Sequence, residues 1–341
     1  MKFVFSISVL VRALLLSALF ALSTHAQAQT DPLPSWNAGQ AKQAIVNFVH
    51  DTTDQASPKF VPPAERVATF DQDGTLWVEQ PVYAQVRYIL DRVPALVKVK
   101  PELATVEPFK TVLSGNGAAI ATLTTPDFET LAMATLTGLS VEQFSAQVKA
   151  WLATSRDPRW DQPYTALTYL PMQEVLDFLR TSGYKTYIVT GGGQDFVRAY
   201  AQAVYGIPPE QVVGSAVGTT FGYDEDGKPL LTKSPKLLLN DNNAGKPEGI
   251  HLMIGQRPRM AVGNSIGDRQ MLEYTKAGDG VRLSMLVLHD DAKREYAYGP
   301  AQGLPASNVG TFTQALYEQA DKQGWTVISM KNDWKKVFAF D

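Results

Sequence analysis

The sequence predicts an α/β protein with a doubly wound parallel sheet and a mainly helical domain inserted into it. From residue 172 onward, short apolar strands alternate with amphipathic helices, which is typical of a parallel sheet covered on both faces. Residues 78–170 show helical periodicity without this alternation, which indicates an insertion. Polar residues follow several of the strands, and ligands bind at the carboxyl ends of strands in such sheets.

The spacing of apolar residues predicts the individual elements. Apolar runs predict strands at 67–70, 185–189, 212–221, 260–262, 280–288 and 325–330. Apolar residues three and four positions apart predict helices at 37–50, 82–97, 106–113, 128–137, 141–151, 196–205, 247–254, 266–274 and 312–317, and a further helix that ends at Gly183. The acidic turn at 224–227 is expected to join two strands of a hairpin and to be solvated.

The first 28 residues are predicted to be a secretory signal peptide and not part of the fold. Lys2 and Arg12 are the charged residues there, and the apolar run at 13–22 is too short to span a bilayer. Ala26-Gln27-Ala28 has the form of a cleavage site. Cleavage after Ala28 would give a periplasmic or secreted protein without a membrane span. An uncleaved membrane anchor is the alternative.

The mature chain is acidic and contains no cysteine. The full chain has 31 basic and 34 acidic residues, and loss of the two basic residues of the leader leaves a net charge of −5. This charge argues against nucleic acid and anionic membrane surfaces as partners. The absence of cysteine excludes disulfides, and a chain of this length can bury a large core without them.

The segment from Arg66 to Trp77 organises the predicted site. Asp71 and Asp73 follow the strand at 67–70, and their two-residue spacing points both carboxylates the same way if the strand direction continues. Two carboxylates this close repel each other unless a cation or a shared proton lies between them, and oxygen ligands favour Mg²⁺. A plain Asp-Gly turn is an alternative, whereas a calcium loop would need a further acidic residue before the glycine.

Polar residues also lie beside the other core strands. Thr190 and three glycines follow the strand at 185–189, and Lys246 precedes the helix that leads into the strand at 260–262. Asn264 and Asp268 follow that strand. Taken singly, these residues could form a tight turn, a solvated lysine and a helix cap. Their order along the chain, each beside a strand end, indicates a single site.

With these four segments the sequence resembles the haloacid dehalogenase superfamily of phosphohydrolases, and within it the phosphoserine-phosphatase-like branch. The matching segments are Asp71-Gln72-Asp73-Gly74-Thr75, Val189-Thr190-Gly191, Lys246-Pro247 and Gly263-Asn264-Ser265-Ile266-Gly267-Asp268. The resemblance implies a Rossmann-like core at residues 29–76 and 171–341. It also implies a helical cap domain over the active site at residues 77–170.

The resemblance further implies a role for each residue of the first two motifs. Asp71 would be the nucleophile that forms an aspartyl-phosphate, and Asp73 would be the general acid and then the general base. Thr190 and the amides of Gly191 and Gly192 would donate hydrogen bonds to phosphoryl oxygens.

The other two motifs would supply a cation and a metal ligand. Lys246 would offset the negative charge of the phosphate and of Asp71. Mg²⁺ would be held by Asp71, the backbone carbonyl of Asp73 and a side chain of the fourth motif. The family usually has aspartate at the position of Asn264. Either Asn264 ligates through its amide oxygen, without charge, or Asp268 takes over as ligand.

The expected activity is Mg²⁺-dependent hydrolysis of small-molecule phosphomonoesters by a secreted enzyme. The second carboxylate, Asp73, favours a phosphatase over a dehalogenase or an ATPase. A phosphotransferase or phosphomutase on the same scaffold is one alternative. A non-catalytic protein that binds a phosphate ligand, with turnover lost through Asn264, is another. Glu79 is expected to contact the substrate, because it is the nearest match to an acidic residue that does so in the phosphoserine-phosphatase-like branch.

Overall fold

A seven-stranded sheet forms the centre of the structure. In chain order its strands are β1 (Val67–Phe70), β2 (Lys185–Gly193), β3 (Val212–Tyr223), β4 (Pro229–Leu239), β5 (Met260–Gly263), β6 (Leu283–Leu288) and β7 (Thr326–Ser329). Across the sheet they lie in the order β4-β3-β2-β1-β5-β6-β7, and neighbours are parallel except for β3 and β4. β1 is therefore central, and the chain leaves it to β2 on one side and reaches β5 on the other. Such a switch point is where doubly wound sheets bind ligands.

The computed structural model describes residues 31–341, and Leu33–Asp341 form one compact unit. The predicted signal peptide at residues 1–28 lies outside the described residues and stays a prediction. Within residues 31–341, no helix is long and apolar enough to cross a membrane.

Helices cover the sheet and form the insertion. They are α1 (Gln40–Thr53), α2 (Ala84–Val99), α3 (Phe109–Leu113), α4 (Gly117–Ile120), α5 (Thr125–Leu136), α6 (Val141–Thr154), α7 (Leu170–Thr181), α8 (Gln194–Arg198), α9 (Ala201–Tyr205), α10 (Gly245–Ile254), α11 (Arg269–Lys276), α12 (Gln314–Lys322) and α13 (Met330–Asp333). Helices α2 to α6 lie between β1 and β2 in the chain. The predicted fold class, a doubly wound sheet with a helical cap inserted after the first strand, is thus confirmed. The exact cap boundaries at 77 and 170 stay predictions.

Side-chain caps fix where the helices of the cap begin. At the start of α5 the Thr124 backbone N–H donates to Asp127 Oδ2 over 2.8 Å. At the start of α6 the Gln143 N–H donates to Ser140 Oγ over 3.1 Å, and Gln143 Oε1 accepts from the Ser140 N–H over 2.9 Å. These contacts satisfy backbone N–H groups that a helix leaves unpaired in its first turn. The polar residues between the apolar stretches therefore divide the insertion into separate helices.

An aromatic cluster joins the cap to the core. Tyr88 of α2 packs against Phe144 and Trp151 of α6, with ring centroids 6.1 and 5.6 Å apart. The Tyr88 ring also lies 5.5 Å from the ring of Phe196, which belongs to α8 of the core. Buried aromatic rings at these separations contribute packing area together with favourable edge contacts. The cluster holds the cap over the carboxyl edge of the sheet.

The β3–β4 hairpin extends from the sheet to the cap. The Lys233 N–H of β4 donates to the Leu139 carbonyl over 2.9 Å, and the Gly138 N–H donates to the Lys233 carbonyl over 3.0 Å. Ser140 and Thr232 form an antiparallel bridge beside them. The predicted hairpin is confirmed, and its acidic turn at 224–227 is exposed. The hairpin therefore attaches the cap by backbone pairing as well as by side-chain packing.

The region from Gly299 onward completes the core. Its strand β7 forms the sheet edge beside β6. Trp334, just after α13, packs edge-on against Trp36 at a centroid distance of 6.0 Å. Both indoles are buried. The two ends of the described chain thus close one side of the sheet together.

Candidate active site

The polar residues predicted from the strand ends come together at the carboxyl edge of the sheet. Asp71 follows β1, Thr190 lies near the end of β2 and Asn264 follows β5. Because β1 lies between β2 and β5 and runs parallel to both, these three ends are neighbours. Lys246 enters from the first turn of α10 and contacts Asp71. The structure therefore brings together residues that are far apart in the chain.

Lys246 bridges two buried carboxylates. Its Nζ lies 2.6 Å from Oδ1 of Asp71 and 2.6 Å from Oδ1 of Asp268, and it donates to the Val189 carbonyl over 2.8 Å. Burial alone would lower the pKa of Lys246, but the Asp268 and Asp71 carboxylates outweigh burial and raise the pKa above its ordinary value. Lys246 is therefore charged and held by three acceptors.

Asp71 and Asp73 have different environments. Burial and the Asp268 carboxylate raise the pKa of Asp71, and the ammonium of Lys246 acts against this rise. Asp73 Oδ1 instead accepts a hydrogen bond from the indole Nε1 of Trp77 over 2.7 Å. Burial raises the pKa of Asp73 to about 6, although the Trp77 hydrogen bond and the Lys246 charge lower it. Asp73 can therefore hold a proton closer to neutral pH than an ordinary aspartate.

The second motif lies within β2 and not after it. The sequence predicted a strand that ends at Val189, but β2 continues to Gly193, with an irregularity in its pairing to β3 between Thr190 and Gly193. The Gly192 N–H donates to Thr190 Oγ1 over 3.0 Å. A Cβ on Gly192 would lie 3.8 Å from Asp73 Oδ2, so this backbone directly adjoins the first motif. A Cβ on Gly193 would lie 2.6 Å from Gln85 Nε2, so glycine at that position leaves the space for the Gln85 side chain.

Asp268 is fully engaged within the protein. Its Oδ1 contacts Lys246, and its Oδ2 accepts the backbone N–H groups of Asn264 over 2.9 Å and of Ser265 over 3.0 Å. These contacts fix the loop of the fourth motif and orient Lys246. Of the two predicted metal ligands in this motif, Asn264 is the one whose side-chain oxygen has the fewer protein contacts: it accepts only from Thr75 Oγ1, over 3.4 Å.

Glu79 lies beside the fourth motif, in a buried position. Its Oε1 accepts hydrogen bonds from Asn264 Nδ2 over 2.6 Å and from the Tyr298 hydroxyl over 2.8 Å. Only 2% of the residue is exposed. Burial raises the pKa of Glu79 to about 8, while His289 and the Tyr298 hydrogen bond lower it. The predicted substrate contact of Glu79 stays a prediction, and the side chain already has two partners in the protein.

His289 supports the first motif, a role that the sequence did not reveal. Its Nε2 lies 2.7 Å from the Gly74 carbonyl, and its Nδ1 lies 3.0 Å from Oε2 of Glu295. Both partners are acceptors, so both ring nitrogens donate and the ring is positively charged. Burial alone would lower the pKa of His289, but Glu295 outweighs burial and raises the pKa. The strand end at His289 was visible in the sequence; its partners, far away in the chain, were not.

We expect the replacement of His289 by glutamine to lower the free energy of unfolding by about 1–3 kcal/mol, because one hydrogen bond to a charged partner is lost. A raised pKa means that the pair stabilises the fold fully below pH 6.5, the ordinary value for histidine, and less as the pH rises through the folded-state pKa. The difference between wild type and variant should therefore shrink at alkaline pH. Urea denaturation at several pH values measures it, and an unchanged midpoint at about pH 6 would contradict the expectation.

The donor set of the site suits a hard divalent cation. Asp71 and Asp268 contact the ammonium of Lys246, and Asp73 and Glu79 are further carboxyl groups near Asp71, so negative charge is in excess when all four are ionised. Within residues 31–341, no three His, Cys, Asp or Glu side chains are arranged to hold a metal by themselves. A carboxylate, a backbone carbonyl, an amide oxygen and waters are nevertheless a ligand set that Mg²⁺ accepts. The residues present therefore fit this ion.

Fold and site together define a capped α/β enzyme with an acidic centre at the switch point of a parallel sheet. The chain belongs to the family of haloacid dehalogenase-like hydrolases, because the profile of that family matches residues 68–273, more than half of the sequence. The enzyme is accordingly a hydrolase of this superfamily, as the motifs indicated. A search of curated proteins found no match.

Several solved structures are similar to this chain. A functionally unknown protein from Anaerococcus prevotii DSM 20548 is 15% identical, covers 77% of this chain and 89% of its own, and has a TM-score of 0.50. A protein of unknown function from Bordetella pertussis Tohama I is 14% identical, covers 77% of this chain and 98% of its own, and has a TM-score of 0.48. A phosphoserine phosphohydrolase-like protein from Francisella tularensis subsp. tularensis SCHU S4 is 15% identical, covers 66% of this chain and 88% of its own, and has a TM-score of 0.34. Likeness at such identities concerns the fold alone.

Proposed function

We propose that this chain is a secreted, Mg²⁺-dependent phosphomonoesterase that hydrolyses small phosphorylated metabolites through an aspartyl-phosphate on Asp71. The observation that carries the proposal is the pair of differently held carboxylates after β1. Asp71 is held by Lys246, whereas Asp73 is held by the Trp77 indole. Two acids with different environments suit the separate roles of nucleophile and general acid. Secretion is inferred from the composition of residues 1–28.

In the first step Asp71 would attack the phosphorus of the ester. Lys246 holds Oδ1 of Asp71 and so fixes the orientation of the carboxylate. A new bond forms between a carboxylate oxygen and phosphorus while the bond from phosphorus to the leaving oxygen breaks. Asp73 would give its proton to the leaving oxygen. Because burial raises the pKa of Asp73 to about 6, this residue can carry that proton near neutral pH.

In the second step Asp73, now ionised, would take a proton from a water molecule that attacks the phosphorus. The bond between Asp71 and phosphorus breaks, inorganic phosphate leaves, and Asp73 is protonated again. Thr190 Oγ1 accepts the Gly192 N–H, which leaves the hydroxyl proton free to donate to a phosphoryl oxygen. The Gly191 amide would donate to the same group.

The residues that would hold Mg²⁺ are Asp71 through its carboxylate, Asp73 through its backbone carbonyl and Asn264 through Oδ1. When bound, Mg²⁺ supplies positive charge next to the phosphoryl group and so reduces its repulsion with the acidic side chains. Asp268 would take no part as a ligand, because both of its oxygens are hydrogen-bonded within the protein. It would instead keep Lys246 and the fourth motif in place.

The cap reaches the second motif beside Gly193. A cavity of about 40 Å³ lies next to Gly193, and Gln85, Phe144 and Lys233 are among its lining residues. Gln85 of α2 accepts the Gly193 N–H over 2.7 Å and so reaches from the cap to the second motif. The cap therefore contacts the second motif directly in this conformation.

Phosphate release from a panel of small phosphomonoesters tests the proposal. We expect the chain without residues 1–28 to release inorganic phosphate in the presence of Mg²⁺, and chelation of the metal to slow release at least about 10²-fold. Restoring Mg²⁺ should restore the rate. A rate that is insensitive to the chelator would contradict the metal dependence.

Other outcomes would point to the alternatives. Transfer of phosphate to an added acceptor alcohol, in preference to water, would indicate a phosphotransferase. Saturable binding of an ester without any release would indicate a binding protein. Secretion is tested separately by determining the N-terminus of the protein in the periplasmic fraction. A protein that stays in the cytosol with residues 1–28 intact would contradict it.

A further inference from the structure

Glu79 and Asn264 form a buried pair of an acid and an amide at the edge of the site. The Asn264 amide donates from Nδ2 to Oε1 of Glu79 over 2.6 Å, and Asn264 and Glu79 are only 1% and 2% exposed. Oε1 of Glu79 accepts from both the Asn264 amide and the Tyr298 hydroxyl, so Asn264 faces Glu79 with its amide nitrogen. Its oxygen, Oδ1, must then face the other way, toward the hydroxyl of Thr75 at 3.4 Å. Glu79 therefore determines which way the amide points.

The backbone around the pair is shaped to accommodate it. Gly74 has φ of 72°, and a Cβ there would lie 2.1 Å from Asn264 Nδ2 and 2.4 Å from Glu79 Oε1. Gly310 has φ of 64°, and a Cβ there would lie 1.7 Å from the same Glu79 oxygen. Side-chain atoms at either position would collide with the pair. Two separate loops thus leave space for Glu79, and the Tyr298 hydroxyl holds it from a third direction.

We propose that Glu79 is a positioning residue of the Mg²⁺ site. It holds the amide nitrogen of Asn264, so that Oδ1 is turned away from Glu79 and is available to Mg²⁺. The inference rests on the metal site of the proposed function. In this role Glu79 supports the metal ligand Asn264 and does not contact the leaving group of the substrate.

The contact between Glu79 and Asn264 changes the expected effect of replacing Asn264 by aspartate. Aspartate at position 264 adds a charged ligand, and taken alone this change should tighten Mg²⁺ binding. Next to Glu79, however, it places two carboxyl groups at a separation of about 2.6 Å, the present length of the contact, where they either repel each other or share a proton, and both oppose the gain in Mg²⁺ affinity. Glutamine at position 79 removes this repulsion, because its amide can donate to the new aspartate as Asn264 now donates to Glu79. The acid and the amide would simply have exchanged places.

The test is a double-mutant cycle on Mg²⁺ affinity, measured at one pH by calorimetric titration and by the Mg²⁺-dependent rise in melting temperature. Glu79→Gln should weaken binding by about 10–100-fold, the range for residues that orient a metal ligand. Asn264→Asp alone should fail to tighten binding. The double variant Glu79→Gln/Asn264→Asp should bind Mg²⁺ as tightly as the wild type or more tightly. Such non-additivity is the signature of direct coupling.

Tyr298→Phe is the matched control. It removes one donor from Oε1 of Glu79 but leaves the Asn264 contact, so it should weaken Mg²⁺ binding much less than Glu79→Gln does. Melting temperatures in the presence of a chelator verify that each variant is folded. They also separate an effect on the metal from an effect on the fold.

Two results would overturn the inference. One is tighter binding by Asn264→Asp alone, with effects of the two substitutions that simply add. The other is a wild-type protein that binds no Mg²⁺. Phosphate release, assayed separately, distinguishes this failure from that of the proposed function. If the protein hydrolyses esters but the two substitutions have additive effects on Mg²⁺ binding, only the role of Glu79 is refuted. If the two substitutions are coupled but the protein releases no phosphate, only the proposed activity is refuted.

Discussion

Replacement of Asp71 by asparagine is expected to reduce phosphate release at least about 10⁴-fold, because an amide cannot form the aspartyl-phosphate. The asparagine side chain has nearly the same shape as the aspartate, and its oxygen can still accept a hydrogen bond from Lys246. Substrate binding should therefore persist while turnover is lost. Single-turnover phosphate release and equilibrium binding of the same ester, measured side by side, check the two halves of this expectation.

The stability of the Asp71→Asn protein is an independent control. Burial and Asp268 raise the pKa of Asp71, so an ionised carboxylate at this position opposes folding when no metal is present. Without Mg²⁺, the variant should be at least as stable as the wild type, as expected for a residue kept for function and not for stability. A variant that releases phosphate at a rate within about tenfold of the wild type would rule out Asp71 as the nucleophile.

Replacement of Lys246 by methionine should have the second-largest effect. It leaves Asp71, Asp268 and the Val189 carbonyl without the ammonium that they share, and breaking a buried ion pair in this way costs about 3–5 kcal/mol of stability. Phosphate release should also fall by about 10²–10³-fold, because a charge that stabilises the transition state is lost. Urea denaturation in the presence of a chelator, together with the phosphate assay, measures both effects.

A second substitution identifies the cause of the lost stability. In the Lys246→Met background, Asp268→Asn removes one of the two carboxylates left unpaired and should recover part of the stability without recovering activity. The same change in the wild type should destabilise the protein, because it takes a partner from Lys246. If Asp268→Asn lowers stability equally in both backgrounds, the charge interaction across Lys246 does not explain the effect.

The sequence predicted the sheet well because its strands carry a local signal. Short apolar runs ending in a polar group define β1 and β5, and the structure places both at the switch point. The turn of the hairpin was equally visible at 224–227, after the predicted strand at 212–221, whereas its second strand, β4, was not predicted. β2 was predicted too short, since Thr190 and the glycines after it are turn formers by composition. Pairing with β3 draws them into the strand, a tertiary effect that no local pattern contains.

The residues of the predicted site were visible for a different reason. Asp71 and Asp73 follow β1, Thr190 lies near the end of β2 and Lys246 begins the helix before β5, so the topology of a parallel sheet brings them together. The sequence also allowed two alternative metal ligands in the fourth motif, Asn264 and Asp268. In the structure Asp268 uses both oxygens in hydrogen bonds to Lys246 and to the backbone, and the choice between the two as metal ligand stays a prediction.

The supporting contacts could not be predicted from local pattern. Glu79 reaches Asn264 across 185 positions, and His289 reaches the Gly74 carbonyl across 215. No local sequence pattern or motif predicts either contact. Each depends on loops that meet only after the sheet has formed. Polar residues just outside a site are therefore what the three-dimensional structure adds to a motif-based assignment.

The pairing of β4 with the segment at 138–140 has a consequence for the timing of the reaction. A cap fastened by a ladder of backbone hydrogen bonds cannot swing aside on its two chain connections alone. Opening of the cap away from the sheet would require these hydrogen bonds to break or the hairpin to move with the cap. Cap opening during turnover would then be a step separate from the chemistry, and it would limit the rate wherever it is the slower of the two.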